Sequence, residues 1–103
     1  MQINRIKGTN MELTEAIKAA VTAELSSLDG RVERWSEAAS ADVEVGRTTH
    51  HHHKGEVFRA EVNLAIPGKL LRAEHVAEAL YVAIRQVVET LERELEKEKG
   101  IHG

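Results

Sequence analysis

The chain has 103 residues, of which 42% are apolar and 30% charged, a composition typical of one globular domain rather than a disordered segment. It contains no cysteine, which excludes disulfides, thiolate chemistry and cysteine-based metal sites. The formal net charge of -3 and the pI of about 6.1 argue, on composition alone, against a nucleic-acid-binding protein.

The excess of acidic over basic side chains is confined to the C-terminal part of the chain. Residues 1–73 hold ten basic and ten acidic side chains, whereas residues 74–103 hold four basic and seven acidic ones. No apolar run approaches the length of a membrane span, and the N-terminus lacks the apolar core of a signal peptide. We therefore expect a cytoplasmic protein with no membrane partner.

The first seven residues predict a strand with an irregularity. Ile3 and Ile6 are three positions apart, so they share a face only if a β-bulge around Asn4 and Arg5 shifts the register. Residues 8–10 then predict a turn.

A helix is expected to begin after Thr14, which suits an N-cap, and to end at Gly30. Its apolar stripe consists of Leu13, Ile17, Val21, Leu25 and Leu28. Residues 31–40 predict no clear element. Trp35 is interpreted there as a lid over the end of the core, with a binding role as the alternative.

Alternation with a period of two predicts the remaining strands. The second strand spans residues 41–45 and is followed by a loop, residues 46–54, that holds four consecutive histidines. The third strand spans residues 55–66, and Pro67-Gly68 suits a type II turn into a fourth strand over residues 69–74. A final helix is expected from about His75 to Lys99, ended by Gly100. Its apolar stripe consists of Val76, Leu80, Ile84, Val87, Val88, Leu91 and Leu95.

The order β-α-β-β-β-α predicts an α+β fold with a four-stranded mixed sheet. A right-handed crossover makes the first two strands parallel neighbours, and hairpins add the other two antiparallel. Each helix has one apolar stripe, so both helices should cover the same face of the sheet. The open face should then carry the mixed charges of Asp42, Glu44, Arg59, Glu61, Asn63, Arg72 and Glu74.

No catalytic motif or convergent acid/base set is found, so neither an enzyme nor a small-molecule substrate or cofactor is expected. The histidine run, composed of His50, His51, His52 and His53, is a weak candidate for metal binding. Its alternatives are a solvated turn and a loop that contacts RNA. A structural zinc site requires a closed ligand set on rigid elements, which the run by itself does not supply.

Five sequence blocks, in this order, resemble the ribosome hibernation promoting factors, also called ribosomal subunit interface or sigma-54 modulation proteins. The blocks are KGTNMELTEAI, VFRAEVNL, PGKLLRAE, LYVAI and LERELEK. The resemblance implies a shape related to double-stranded-RNA-binding domains. It also implies binding to ribosomal RNA of the small subunit, in the channel for mRNA and tRNA, and inhibition of translation under stress or in stationary phase.

The same resemblance implies phosphate contacts from basic side chains near the end of the last helix. These are Arg93, Lys97 and Lys99, with Lys18, Arg47, Lys54 and Lys69 as further RNA-binding candidates. From the residues alone, Arg93 and Lys97 are read as a solvated helix face. The chain departs from the family pattern at Glu94, Glu96 and Glu98, where acidic groups would repel phosphate.

The chain resembles the short form of the family, without a C-terminal dimerisation domain. We therefore expect one domain over residues 1–103 that is monomeric when it is not on the ribosome. The alternative is a protein-interaction module of the same fold, such as a sigma-factor modulator, that has lost the RNA surface.

Overall fold

The computed structural model describes residues 1–48 and 57–102. Its elements are β1 (Gln2–Thr9), α1 (Glu15–Leu25), α2 (Asp29–Val32), β2 (Ser40–Arg47), β3 (Phe58–Ile66), β4 (Lys69–Ala77) and α3 (Leu80–His102). Short 3-10 turns flank α2. Apart from the added α2, the order confirms the predicted α+β arrangement. Lys54 and the histidine run lie outside the described residues.

The four strands form one mixed sheet in the order β1-β2-β3-β4. β1 is parallel to β2, and the other neighbours are antiparallel. The register of β1 shifts between Ile3 and Arg5, which confirms the predicted bulge. As a result Ile3 pairs with Ala41 and Ile6 with Val43, so both isoleucines lie on the same face of the sheet.

Both helices cover that face, as predicted. α3 packs on β3 and β4, and α1 packs beside α3. The largest fully buried side chains are Leu25, Leu28, Leu64, Leu91, Val21, Val32, Val45 and Val87, contributed by the helical segments and by the sheet. Among the described residues, no helix combines the length and the apolar character that a bilayer span requires.

The first helical segment continues past Gly30, so the prediction that Gly30 ends it is wrong. α2 carries the chain through Gly30 to Val32, and a 3-10 turn extends it to Ala38. The reason is packing, since Val32 lies one turn after Leu28 and both side chains are buried. Trp35 is half-buried against the core, which agrees with the interpretation as a lid.

The boundary between β4 and α3 was also predicted wrongly. β4 extends to Ala77 because its last residues pair with the beginning of β3, and α3 begins only at Leu80. Val76 therefore lies on the open face of the sheet instead of in the helix stripe. α3 also continues through Gly100 to His102.

The predicted turn at Pro67-Gly68 and the predicted cap at Thr14 are confirmed, whereas the turn predicted over residues 8–10 begins only at Asn10, because Gly8 and Thr9 pair with β2. Gly68 has a φ of 79°, which fits the third position of a type II turn. Asn10 has a φ of 58° and turns the chain after β1. The hydroxyl of Thr14 accepts a hydrogen bond from the backbone N–H of Ile17 at 3.2 Å and so caps α1.

Candidate nucleic-acid interface

The predicted basic residues of α3 lie on the flank of the helix that faces the β4 edge. Nε2 of His75, on β4, is 2.8 Å from Oγ1 of Thr90. Arg93 donates a hydrogen bond from Nη2 to the same hydroxyl at 3.2 Å. Lys97 lies one turn after Arg93, so the two cations share this flank. We call Arg93 and Lys97 the α3 basic flank.

Glu94, Glu96 and Glu98 alternate with the basic residues near the end of α3, and each has a basic partner. Nζ of Lys97 is 3.5 Å from Oε1 of Glu94. Glu96 pairs with Arg31 of α2, and Glu98 pairs with Lys69 at the β3–β4 turn. Arg31 also approaches Glu92, at 3.3 Å. The acidic side chains are therefore partly neutralised within the molecule.

The pairs made by Lys69 and Lys97 differ in burial. The side chain of Glu98 is only 9% exposed, so its pair with Lys69 ties the β3–β4 turn to the end of α3. The side chain of Lys97 is 71% exposed, and an exposed pair of this kind contributes at most about 1 kcal/mol. The Lys97–Glu94 pair is therefore the weaker of the two, and the Lys69–Glu98 pair joins two elements of the fold.

The other predicted RNA-binding residues lie elsewhere. Lys18 is on the opposite flank of the helix layer, in a cleft beside β1, and pairs with Glu15 at 3.4 Å. Arg47 is at the end of β2, where its guanidinium lies 5.2 Å from the centre of the Phe58 ring. The structure brings Lys69 close to the α3 basic flank but separates Lys18 and Arg47 from it. Lys99 follows Lys97 by two positions in α3.

Arg47 and Lys69 lie at opposite ends of the sheet. Arg47 pairs with the first residue of β3, and Lys69 pairs with the last. The nine residues of β3 span about 26 Å between these two points. One phosphate group cannot reach both side chains.

The central part of the open sheet face is a network of ion pairs. Arg59 pairs with Glu61 at 2.9 Å and also with Glu74, while Arg72 pairs with Glu61. Burial acts to raise the pKa of Glu61, but hydrogen bonds from Arg72 and Arg59 outweigh it and hold the pKa below its ordinary value of 4.5. Since these arginines already hold carboxylates, the centre of the sheet is not the best phosphate-binding surface.

The ion-pair network around Glu61 predicts that the stability of the protein depends on pH. Because the pKa of Glu61 is depressed in the folded state, its contribution to stability is present above pH 4.5 and is lost as the pH falls through the lower folded-state value. We expect Glu61→Gln to lower the free energy of unfolding at pH 7 and to lower it less at pH 3. Urea unfolding at both pH values measures this difference. An equal loss at the two values would contradict the coupling.

In the described residues, the His, Asp and Glu side chains form no cluster of three or more that could hold a metal ion. The metal prediction for the histidine run lies outside the described residues and stays a prediction.

Comparison with known proteins identifies relatives across most of the chain. It is 33% identical over 99 residues to a ribosome hibernation promotion factor of Deinococcus radiodurans, covering 96% of this chain and 50% of that protein. It is 29% identical over 99 residues to the ribosome hibernation promoting factor of Escherichia coli K12, covering 96% and 94%. The chain thus spans about half of the first relative and nearly all of the second. Neither name is that of an enzyme.

The fold is also shared with a solved structure. The N-terminal domain of Protein Y from Thermus thermophilus superposes with a TM-score of 0.76 at 32% identity, covering 94% of this chain and 98% of that one. The family model described as Sigma 54 modulation protein / S30EA ribosomal protein matches residues 4–102. The resemblance predicted from the sequence is confirmed, and the chain belongs to this family.

Proposed function

We propose that this protein binds ribosomal RNA of the small subunit in the mRNA and tRNA channel and so inhibits translation during stress or stationary phase. The match of the family model to residues 4–102 carries the proposal, and the names of the relatives support it. The protein acts in the cytoplasm, and residues 4–102, which the family model matches, form the domain that binds the ribosome. It uses no catalysis, cofactor or small-molecule substrate, and it is monomeric when it is not on the ribosome.

The chemistry of the α3 basic flank suits this role. A-form RNA presents phosphates and 2′-hydroxyls on its accessible surface, which cations can contact without reading a base sequence. Arg93 offers a planar guanidinium for a phosphate, Lys97 adds a point charge one turn later, and Lys99 follows it by two positions in the sequence. The partners of Glu94, Glu96 and Glu98 reduce the repulsion that these carboxylates would exert on RNA.

A second candidate function is protein binding through the open sheet face. The charges at its centre are paired with one another, and Leu70 on the edge strand β4 is 62% exposed. Paired charges beside an exposed leucine suit a protein surface better than a phosphate backbone. A sigma factor or another transcription protein would be the partner in this case.

Co-sedimentation with isolated small ribosomal subunits across a salt series separates the two functions. RNA binding predicts that the protein sediments with the subunits and that the logarithm of the affinity falls linearly with the logarithm of the salt concentration. A protein that stays in the supernatant at 50 mM salt would overturn the ribosomal proposal. Binding that hardly changes with salt would favour contact with a ribosomal protein.

A further inference from the structure

We infer that the outer edge of β1 is a second phosphate-binding surface, formed by Arg5, Lys7 and Lys18. We call it the β1 edge surface, and its partner is the sugar-phosphate backbone of RNA. The inference rests on the proposed function for the identity of this partner. It adds Arg5 and Lys7, which the sequence analysis did not assign to binding, and Lys18 shares a cleft with Arg5.

The bulge determines where these two cations point. In a regular strand, Arg5 and Lys7 would share the face of Ile3 and would point into the core. The register shift instead pairs Arg5 with Asp42 and Lys7 with Glu44, on the open face, and returns Ile6 to the core side. One extra residue in β1 therefore both completes the core and exposes two cations at the edge of the sheet.

Both cations are available to a ligand. Arg5 and Lys7 are exposed, and in the part of the chain that the structure describes neither has a carboxylate oxygen within 4.0 Å of its charged nitrogens. By contrast, Arg59 and Arg72 on the same face hold carboxylates.

Asp42 and Glu44 of β2 line the same depression as Arg5 and Lys7, together with Glu61, whose carboxylate is held by Arg59 and Arg72. Glu44 accepts a hydrogen bond from the hydroxyl of Thr9 at 2.6 Å, and Asp42 lies beside Arg5. Both carboxylates belong to the next strand inward, about 4.8 Å from β1. A phosphate that approaches from the edge meets Arg5 and Lys7 first.

Lys18 extends the surface around the edge. Arg5 lines a depression on the open face and also a cleft that it shares with Lys18 and Thr22 of α1. Arg5 therefore lies between the open face and the cleft that contains Lys18. Glu15 is the acidic neighbour of Lys18 at 3.4 Å, but its side chain is 92% exposed, so the pair is weak and can be displaced.

The spacing suits a nucleic-acid strand. Arg5 and Lys7 are two residues apart in β1, so their backbones lie about 7 Å from each other. This distance is comparable with the separation of consecutive phosphates along RNA. The β1 edge lies three inter-strand spacings, about 14 Å, from the β4 edge beside the α3 basic flank. The two surfaces therefore contact different segments of RNA.

The test compares two variants that lose the same charge. Arg5→Gln/Lys7→Gln removes two cations from the β1 edge surface. Arg34→Gln/Arg85→Gln removes two exposed cations elsewhere, one stacked on Trp35 and one paired with Glu24 at 3.7 Å. Both are measured against isolated small subunits and against a short RNA duplex, with the melting temperature as a check on folding.

We expect the β1 variant to bind both probes about 30-fold more weakly at 0.15 M salt, because the loss of counterion release from two phosphate contacts amounts to this factor. The slope of the logarithm of the affinity against the logarithm of the salt concentration should also become less steep by about two. The control variant should lose much less affinity.

Unchanged binding of the β1 variant, or an equal loss of affinity in both variants, would overturn the inference while leaving the proposed function standing. Loss of duplex binding in the β1 variant, with no binding of the wild type to subunits, would support the β1 edge surface and remove the proposed function. A wild type that binds neither probe would remove both.

Discussion

Gly46→Ala is expected to lower the free energy of unfolding by about 3 kcal/mol or more, because it forces an atom into the backbone of the neighbouring strand. Gly46 of β2 is buried and pairs with Thr9 of β1. A Cβ at this position would overlap the carbonyl oxygen of Thr9 and would lie 3.0 Å from its Cβ. A carbonyl in a paired strand cannot move aside unless β1 separates from β2.

Gly30→Ala is the matched control. A Cβ at Gly30 meets no atom within 4 Å, and the residue lies inside α2. The same substitution should therefore stabilise the protein by about 0.5–1 kcal/mol, the usual advantage of alanine over glycine in a helix. Urea unfolding of both variants measures the two effects. A Gly46→Ala protein as stable as the wild type would contradict the close approach of β1 and β2.

Short-range patterns predicted most of the fold, and non-local pairing decided the rest. The alternation from Phe58 to Ile66 and the positive φ at Gly68 are local properties, and both are confirmed. Val76, Leu80 and Ile84 are spaced like a helix stripe, yet Val76 belongs to β4 because it pairs with Arg59. The partner strand is not visible in the local pattern, so the boundary was placed too early.

Contacts between residues that are distant in sequence also limited the prediction of the candidate site. Helix periodicity placed Arg93 and Lys97 together, but the partner of Glu96 is 65 residues away and the partner of Glu98 is 29 residues away. Local sequence contains no signal for either pair. The bulge in β1 was predicted from Ile3 and Ile6, and its effect on the cations could have been read from the same shift.

Arg93→Ala/Lys97→Ala is expected to weaken binding to isolated small subunits by about 30-fold at 0.15 M salt, since two phosphate contacts each contribute about 0.9 to the log-log salt slope. The slope should fall by about two. Both side chains are exposed, and Lys97 gives up only a weak pair, so we expect little change in melting temperature. The Arg34/Arg85 control described above separates this contact from a general loss of positive charge.

Glu94→Gln is expected to strengthen binding at the α3 basic flank. Removing this carboxylate releases Lys97 and deletes one negative charge beside the phosphate, so binding should tighten and the salt slope should steepen. Glu98 is left in place because its buried carboxylate is paired with Lys69, and its loss would disturb the helix end itself. If Arg93→Ala/Lys97→Ala and Glu94→Gln both bind as the wild type does, the α3 basic flank is not at the interface. Weaker binding of the β1 variant alone would then place RNA on the opposite edge of the sheet.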